Sequence, residues 1–167
     1  MSDIENRAVV DEEDYSVSRT VHVRAPRDRV WAAITTADGI AGWFAESVVL
    51  DEPRVGAAGA LRWEEFGDYA FVVTAVVDGH LFEYRWAKDP GVEVRADNAT
   101  SVRFVLMDAP GGTIVTVVES GFEALAEDDA AKRELLRGNG EGWNHELDEL
   151  VRVLESSAPP EAPPPSG

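Results

Sequence analysis

The sequence predicts an α+β fold, a curved antiparallel sheet of about six to seven strands wrapped around one long C-terminal helix. Three observations carry this. Between Ser47 and Ser120 apolar residues recur at every second position, in runs that end at turn-forming pairs. That is the pattern of half-buried strands joined as hairpins. Near the C-terminus, in the stretch 135–155 (LLRGNGEGWNHELDELVRVLE), Trp143, Leu147, Leu150, Val151 and Leu154 fall on one stripe of a 3.6-residue period. Sequential hairpins leave one sheet face to cover, and this helix is the long amphipathic element available to cover it.

The chain opens with an acidic stretch, residues 1–14, ending Asp11-Glu12-Glu13-Asp14 and read as a flexible arm. The folded domain is placed at 15–155. Its first strand spans Tyr15 to Arg24, with Val17, Val21 and Val23 on one face and Ser18, Thr20 and His22 on the other. Pro26 suits a first helical position, and RDRVWAAIT follows as a short helix. Thr36-Ala37-Asp38-Gly39 breaks it, and a second short helix runs from Ile40 to Phe44. Strand-like runs follow at 47–50, 60–66, 69–77, 81–86, 100–107 and 113–120. Gly67-Asp68, Asp78-Gly79 and Pro110-Gly111-Gly112 are the turns. In the longest run Tyr69, Phe71, Val73, Ala75 and Val77 are expected on one face. Acidic Glu127-Asp128-Asp129 starts the last helix, where negative charge suits the dipole. Residues 156–167 (SSAPPEAPPPSG) form a disordered proline-rich tail.

Bulk properties narrow the function. At 167 residues the chain is one domain of ordinary core size. A formal net charge of −17 argues against nucleic acid and anionic membrane surfaces as partners. The absence of cysteine excludes disulfides, thiolate metal sites and cysteine nucleophiles. No apolar run is long enough to span a membrane, and the first residues do not resemble a signal peptide, so a cytoplasmic protein is expected.

Five segments, in order, carry a resemblance. APRDRVWAAIT, GIAGWF, LFEYRW, GGTIVTVVESGF and GWNHELDELVRVLE span roughly residues 17–155. Together they resemble the bacterial domains related to the activator of the heat-shock-90 chaperone ATPase, within the START-like (SRPBCC, helix-grip) superfamily. The resemblance implies a helix-grip fold with a deep apolar cavity between sheet and helix. It also implies a polar or titratable residue just before the Ser-Gly-Phe ending, which here is Glu119.

Candidate site residues follow from phase. Glu119 shares the face of Val115 and Val117, and a carboxylate on an apolar face needs hydrogen bonds or a cation. Trp63, Phe71, Tyr84, Trp86 and Phe104 occupy single-phase positions on successive strands, and Trp143 faces them from the helix. Gly138, Gly140 and Gly142 thin the helix, either making room for a ligand and for Asn139 to reach inward, or marking a kink or a later helix start. The three histidines are scattered without metal-ligand spacing. No cofactor, metal or catalytic residue is assigned.

The leading expectation is binding of an apolar or amphipathic, lipid- or polyketide-like small molecule by Trp63, Phe71, Tyr84, Trp86, Phe104, Glu119, Asn139 and Trp143, in a monomer or homodimer. One alternative is a cyclase, dehydratase or hydrolase using Glu119 as acid/base, with Tyr84 or His80 assisting. The other is a co-chaperone-like interaction module.

Overall fold

A computed structural model describes residues 7–156. The proline-rich segment beyond Ser156 and the start of the acidic arm lie outside the described residues. Among the described residues, eight strands form a single antiparallel sheet in the order β1-β2-β8-β7-β6-β5-β4-β3. They are β1 (Val9–Asp11), β2 (Ser16–Val23), β3 (Ser47–Val49), β4 (Ala58–Trp63), β5 (Gly67–Val77), β6 (Leu81–Ala87), β7 (Ala99–Ala109) and β8 (Gly112–Ser120). β3 to β8 run as a meander, and β8 then pairs with β2, bringing the last strand beside the second. Two short helices, α1 (Arg27–Thr35) and α2 (Ala37–Ala41), link β2 to β3, and α3 (Asp129–Ser156) closes the structure. This is the sheet-around-helix arrangement that the hairpin pattern and the helical stripe predict.

The inward stripe of α3 and the inward phases of the strands make one core. Phe71, Phe82, Phe104, Leu106, Leu136, Leu147 and Leu150 are buried almost completely. Each such side chain contributes about 1.5–3 kcal/mol relative to exposure. Arg19 occupies the inward phase of β2, between Val17 and Val21, and is 4% exposed. Its guanidinium donates to the carbonyls of Trp143 (3.3 Å) and Asn144 (2.6 Å) and to Asp148 Oδ1 (2.7 Å). It therefore fastens β2 to the middle of α3.

Several local expectations are corrected. The acidic arm is not wholly loose, because β1 pairs with β2 as an eighth strand. Glu12 meets Arg133 and Arg137 of α3, and the amide of Ala8 donates to Asn144 Oδ1 at 2.6 Å. A three-residue strand is too short to display alternation, so its charges hid it. α2 begins earlier than expected because Thr36 Oγ1 accepts from the amide of Gly39 (2.9 Å) and caps a turn at Ala37. Pro26 is the N-cap residue of α1 rather than its first helical residue. β4 ends at Trp63, which pairs with Gly67 across the loop Glu64-Glu65-Phe66. Gly67 has φ 103°, a left-handed conformation suited to glycine, and this sets a three-residue hairpin loop that ends at Phe66. In β5 a bulge between Val73 and Ala75 shifts the phase. Val76 then packs on the core, while Val77 is exposed.

The glycines of α3 do not break it, since the helix is continuous through all three. Gly140 is buried, and a Cβ there would lie 2.8 Å from Val10 Cγ2, so this glycine lets β1 press against the helix. Gly138 and Gly142 face open space. Replacing Gly138 with Ala is expected to stabilise the fold by about 0.5–1 kcal/mol in denaturant unfolding, the ordinary helix-propensity gain. Gly140→Ala is expected to show no such gain and to speed amide exchange in β1.

Candidate functional site

The inner face of β8 carries Val115, Val117 and Glu119 in phase. Pairing places Glu119 opposite Val17 of β2 and Val102 of β7, at the end of an otherwise apolar row. The residue is fully buried. Its carboxylate accepts hydrogen bonds from four side chains. Trp143 Nε1 donates to Oε1 at 2.8 Å, and Asn139 Nδ2 reaches Oε1 and Oε2 at 3.0 and 3.1 Å. Thr100 Oγ1 donates to Oε2 at 2.5 Å, and Trp86 Nε1 lies 3.1 Å from the same oxygen. Trp86 Nε1 also lies 3.1 Å from Thr100 Oγ1, which leaves the threonine proton for the carboxylate. No cation pairs with Glu119 among the described residues. Neutral donors from two strands, β6 and β7, and from α3 thus replace the water the carboxylate loses on burial.

Around this network the sheet and α3 part to form an open cleft. Its main lobe, about 350 Å³, is walled by Trp63, Tyr69, Trp86, Phe122, Leu125 and Leu135, with Phe66 at the rim. A second lobe of about 160 Å³ lies over Gly138, Gly142, Trp143 and Phe44. The two share Trp63, Trp86, Glu119, Asn139 and Glu146. The open faces of Gly138 and Gly142 thus border the second lobe, whereas Gly140 serves β1.

The deep apolar cavity expected further along the sheet is filled. Ile34, Ile40, Trp43, Phe44, Leu61, Phe71, Phe82, Tyr84 and Phe104 meet there around about 10 Å³, no more than room for one water. Trp43, held by a hydrogen bond from Nε1 to the Ala33 carbonyl (2.9 Å), and Phe44, stacked on Trp143 at 5.6 Å and 9°, plug it from the α2 side. Phe71, Tyr84 and Phe104 are therefore core residues and do not reach the open cleft. Trp63, Trp86, Glu119, Asn139 and Trp143 do border it. Sequence reasoning did not single out Tyr69, Thr100 and Glu146. Tyr69 was legible in the inward phase of β5, and Thr100 sits directly opposite Trp86. Glu146 has no such signal, since it lies beside the apolar stripe of α3.

Glu146 is half-buried at the cleft and makes no hydrogen bond or ion pair among the described residues. Burial pushes its carboxyl up to about 7, opposed by neighbouring His145 and reinforced by Glu149. Glu46, across the outer mouth, and Lys88 and Glu119, inside the cleft, are the other charged groups bordering the same openings. Lys88 is held between Asp89 and Glu127, each at 2.8 Å.

Of the two groups expected to assist Glu119, Tyr84 lies in the filled core and His80 lies outside the cleft. Burial, and then the Glu119 charge, raise the Tyr84 hydroxyl well above its ordinary value, so it stays protonated in the core. His80 is exposed in the turn before β6 and hydrogen-bonds Arg27. Trp86 lies six residue steps further along the chain, about 20 Å in a strand. Among the described residues no group of three or more His, Asp or Glu side chains is placed to hold a metal. No described helix is long and apolar enough to cross a membrane.

A sheet gripping a C-terminal helix, with its cleft at one end, defines a helix-grip domain. The chain belongs to the family described as activator of Hsp90 ATPase homolog 1-like protein, whose profile matches residues 24–155. No curated protein matches the sequence. Among solved structures, protein MLL2253 from Mesorhizobium loti aligns with a TM-score of 0.71 at 24% identity, covering 85% of this chain and 98% of that one. The Aha1 dimer from Colwellia psychrerythraea aligns at 0.66 and 20% identity, covering 84% and 96%. DynU16, a protein of the dynemicin biosynthetic locus, aligns at 0.67 and 23% identity, covering 86% of this chain and 48% of DynU16. At these identities the likeness is one of fold.

Two outcomes test the site. Glu119→Gln turns one acceptor into a donor among donors and is expected to cost about 2–3 kcal/mol in denaturant unfolding. Glu146 behaves oppositely. A carboxyl raised on folding stabilises the protein below its unfolded value, near 4.5, and that contribution is lost as pH rises through about 7. Glu146→Gln is therefore expected to raise stability near pH 8 by about 1 kcal/mol, a figure discounted for a side chain partly in water, and to change little near pH 4.

Proposed function

We propose that the protein binds a small apolar or amphipathic molecule in the cleft between the sheet and α3. The observation that carries this reading is the set of large aromatic side chains, Trp63, Tyr69 and Trp86, left partly exposed around a 350 Å³ space that no side chain fills. Folding normally covers such rings, and exposing several in one concavity favours a ligand that completes their burial. The volume lies at the small end of the usual range for ligand sites, roughly 300–1,000 Å³. Asn139, Lys88 and Glu146 supply polar groups at its border, suiting a ligand with an apolar body and one polar end. A relative in fold from the dynemicin biosynthetic locus supports small-molecule chemistry as the setting.

Decanol titrated into the full chain is expected to quench tryptophan fluorescence and to bind with a negative heat-capacity change. Gly142→Phe, which places a ring in the second lobe without touching the core, is expected to weaken binding about tenfold with stability retained. Absence of binding by decanol, by bulkier neutral apolar probes and by charged amphiphiles of the same chain length would overturn the proposal.

A further inference from the structure

The charge around the cleft goes beyond its apolar walls. Trp63 and Tyr69 meet edge to face, with ring centroids 5.5 Å apart and planes at 82°. Tyr69 and Trp86 lie 6.3 Å apart at 48°. The three rings therefore form the walls of a corner rather than a flat stack, and each keeps part of its surface uncovered. Aromatic faces carry partial negative charge and attract a cation within about 6 Å of the ring centre.

Glu146 borders the same cleft from α3, half-buried, with no hydrogen bond or ion pair among the described residues. A carboxylate in that position lacks full hydration, and the positive group beside it is the neighbouring His145, without an ion pair among the described residues. Glu119 adds a second negative group, and the donors around it are neutral. The single cation of the lining, Lys88, is already held between Asp89 and Glu127. The remaining oxygen of Glu127, Oε1, is buried without a hydrogen-bond partner. The surroundings of the cleft are thus negative and short of positive charge, in a protein whose formal net charge is −17.

We propose that the ligand of this cleft is a cationic amphiphile, an organic ammonium on an apolar body, with the ammonium in the corner of Trp63, Tyr69 and Trp86 and facing Glu146. This rests on the small-molecule reading of the cleft and adds the charge of the ligand. A quaternary or tertiary ammonium fits better than a primary amine, because the ring faces offer no lone pair and a bulky, weakly hydrated cation loses least on leaving water. The ring corner supplies attraction for charge, and the apolar lobe beside Phe122, Leu125 and Leu135 takes the hydrocarbon.

The test compares three probes of one chain length with the full chain, each below its micellar concentration: decyltrimethylammonium, decanol and decanoate. The cationic probe is expected to bind about tenfold more tightly than decanol, and decanoate more weakly than both. Glu146→Gln is expected to remove most of the cation preference while leaving decanol binding unchanged. Tyr69→Leu is expected to reduce that preference as well. Glu141→Gln, which removes an exposed charge elsewhere on α3, is expected to leave it intact, separating the site from the general attraction of an acidic surface. Equal binding of decanol and the cation, or a preference that Glu141→Gln lowers as much as Glu146→Gln, would overturn this inference and leave the apolar cleft standing. Failure of all three probes to bind would overturn both.

Discussion

The structure depends on one buried carboxylate. Glu119 ends the inner row of β8, and its two oxygens collect donors from β6, β7 and α3. Burying that charge alone would be prohibitive, so the surrounding side chains are chosen for what they can donate. Two indole N–H groups, an amide and a hydroxyl do this without bringing a second charge into the core. The consequence is directional. Trp143 and Asn139 can satisfy Glu119 only when α3 lies at one height and rotation over the sheet. Arg19 fixes the same helix from β2 by capturing the carbonyls of Trp143 and Asn144. A negative acceptor on one strand and a positive donor on its neighbour thus hold the same turn of helix.

The cleft follows from that placement. α3 rests on β1 and β2, with Gly140 allowing the close approach of Val10. α1 and α2 bring Trp43 and Phe44 over the middle of the sheet, where they meet Phe71, Tyr84 and Phe104 and leave almost no space. What remains uncovered lies between the β4–β5 hairpin, the end of β6 and the thinned face of α3. The aromatic side chains there are the same type that fills the core. They differ in having no element above them. Trp86 belongs to both regimes, with its indole N–H anchored on the Glu119 network and its ring facing the cleft.

Much of this was legible in the residues. Alternation located seven of the eight strands, and the stripe from Trp143 to Leu154 located the helix that they grip. The phase of Val115 and Val117 pointed Glu119 inward. The eighth strand was hidden because three residues between charges carry no period. The bulge in β5 was hidden because alternation extrapolates a phase that one extra residue reverses, and Val76 and Val77 change places as a result. The division of aromatics into core and cleft was not legible. Phe71, Tyr84 and Phe104 share the phase of Trp63 and Trp86, and only the position of α2 decides which are covered. Glu146 was hidden for a related reason: its polarity fits the wet side of a helix, and its burial comes from a neighbouring element.

The central claim is that the Glu119 carboxylate is held by both indoles and that this network forms the floor of the cleft. Nitrogen-15 labelling of the five tryptophans, with hydrogen exchange read at each indole N–H, tests it most directly. The Trp86 and Trp143 indole protons are expected to exchange far more slowly than that of Trp63, which has no hydrogen-bond partner among the described residues. Both are expected to shift when an apolar probe enters the cleft. Exchange of Trp86 and Trp143 as fast as Trp63, in a folded protein, would contradict the account.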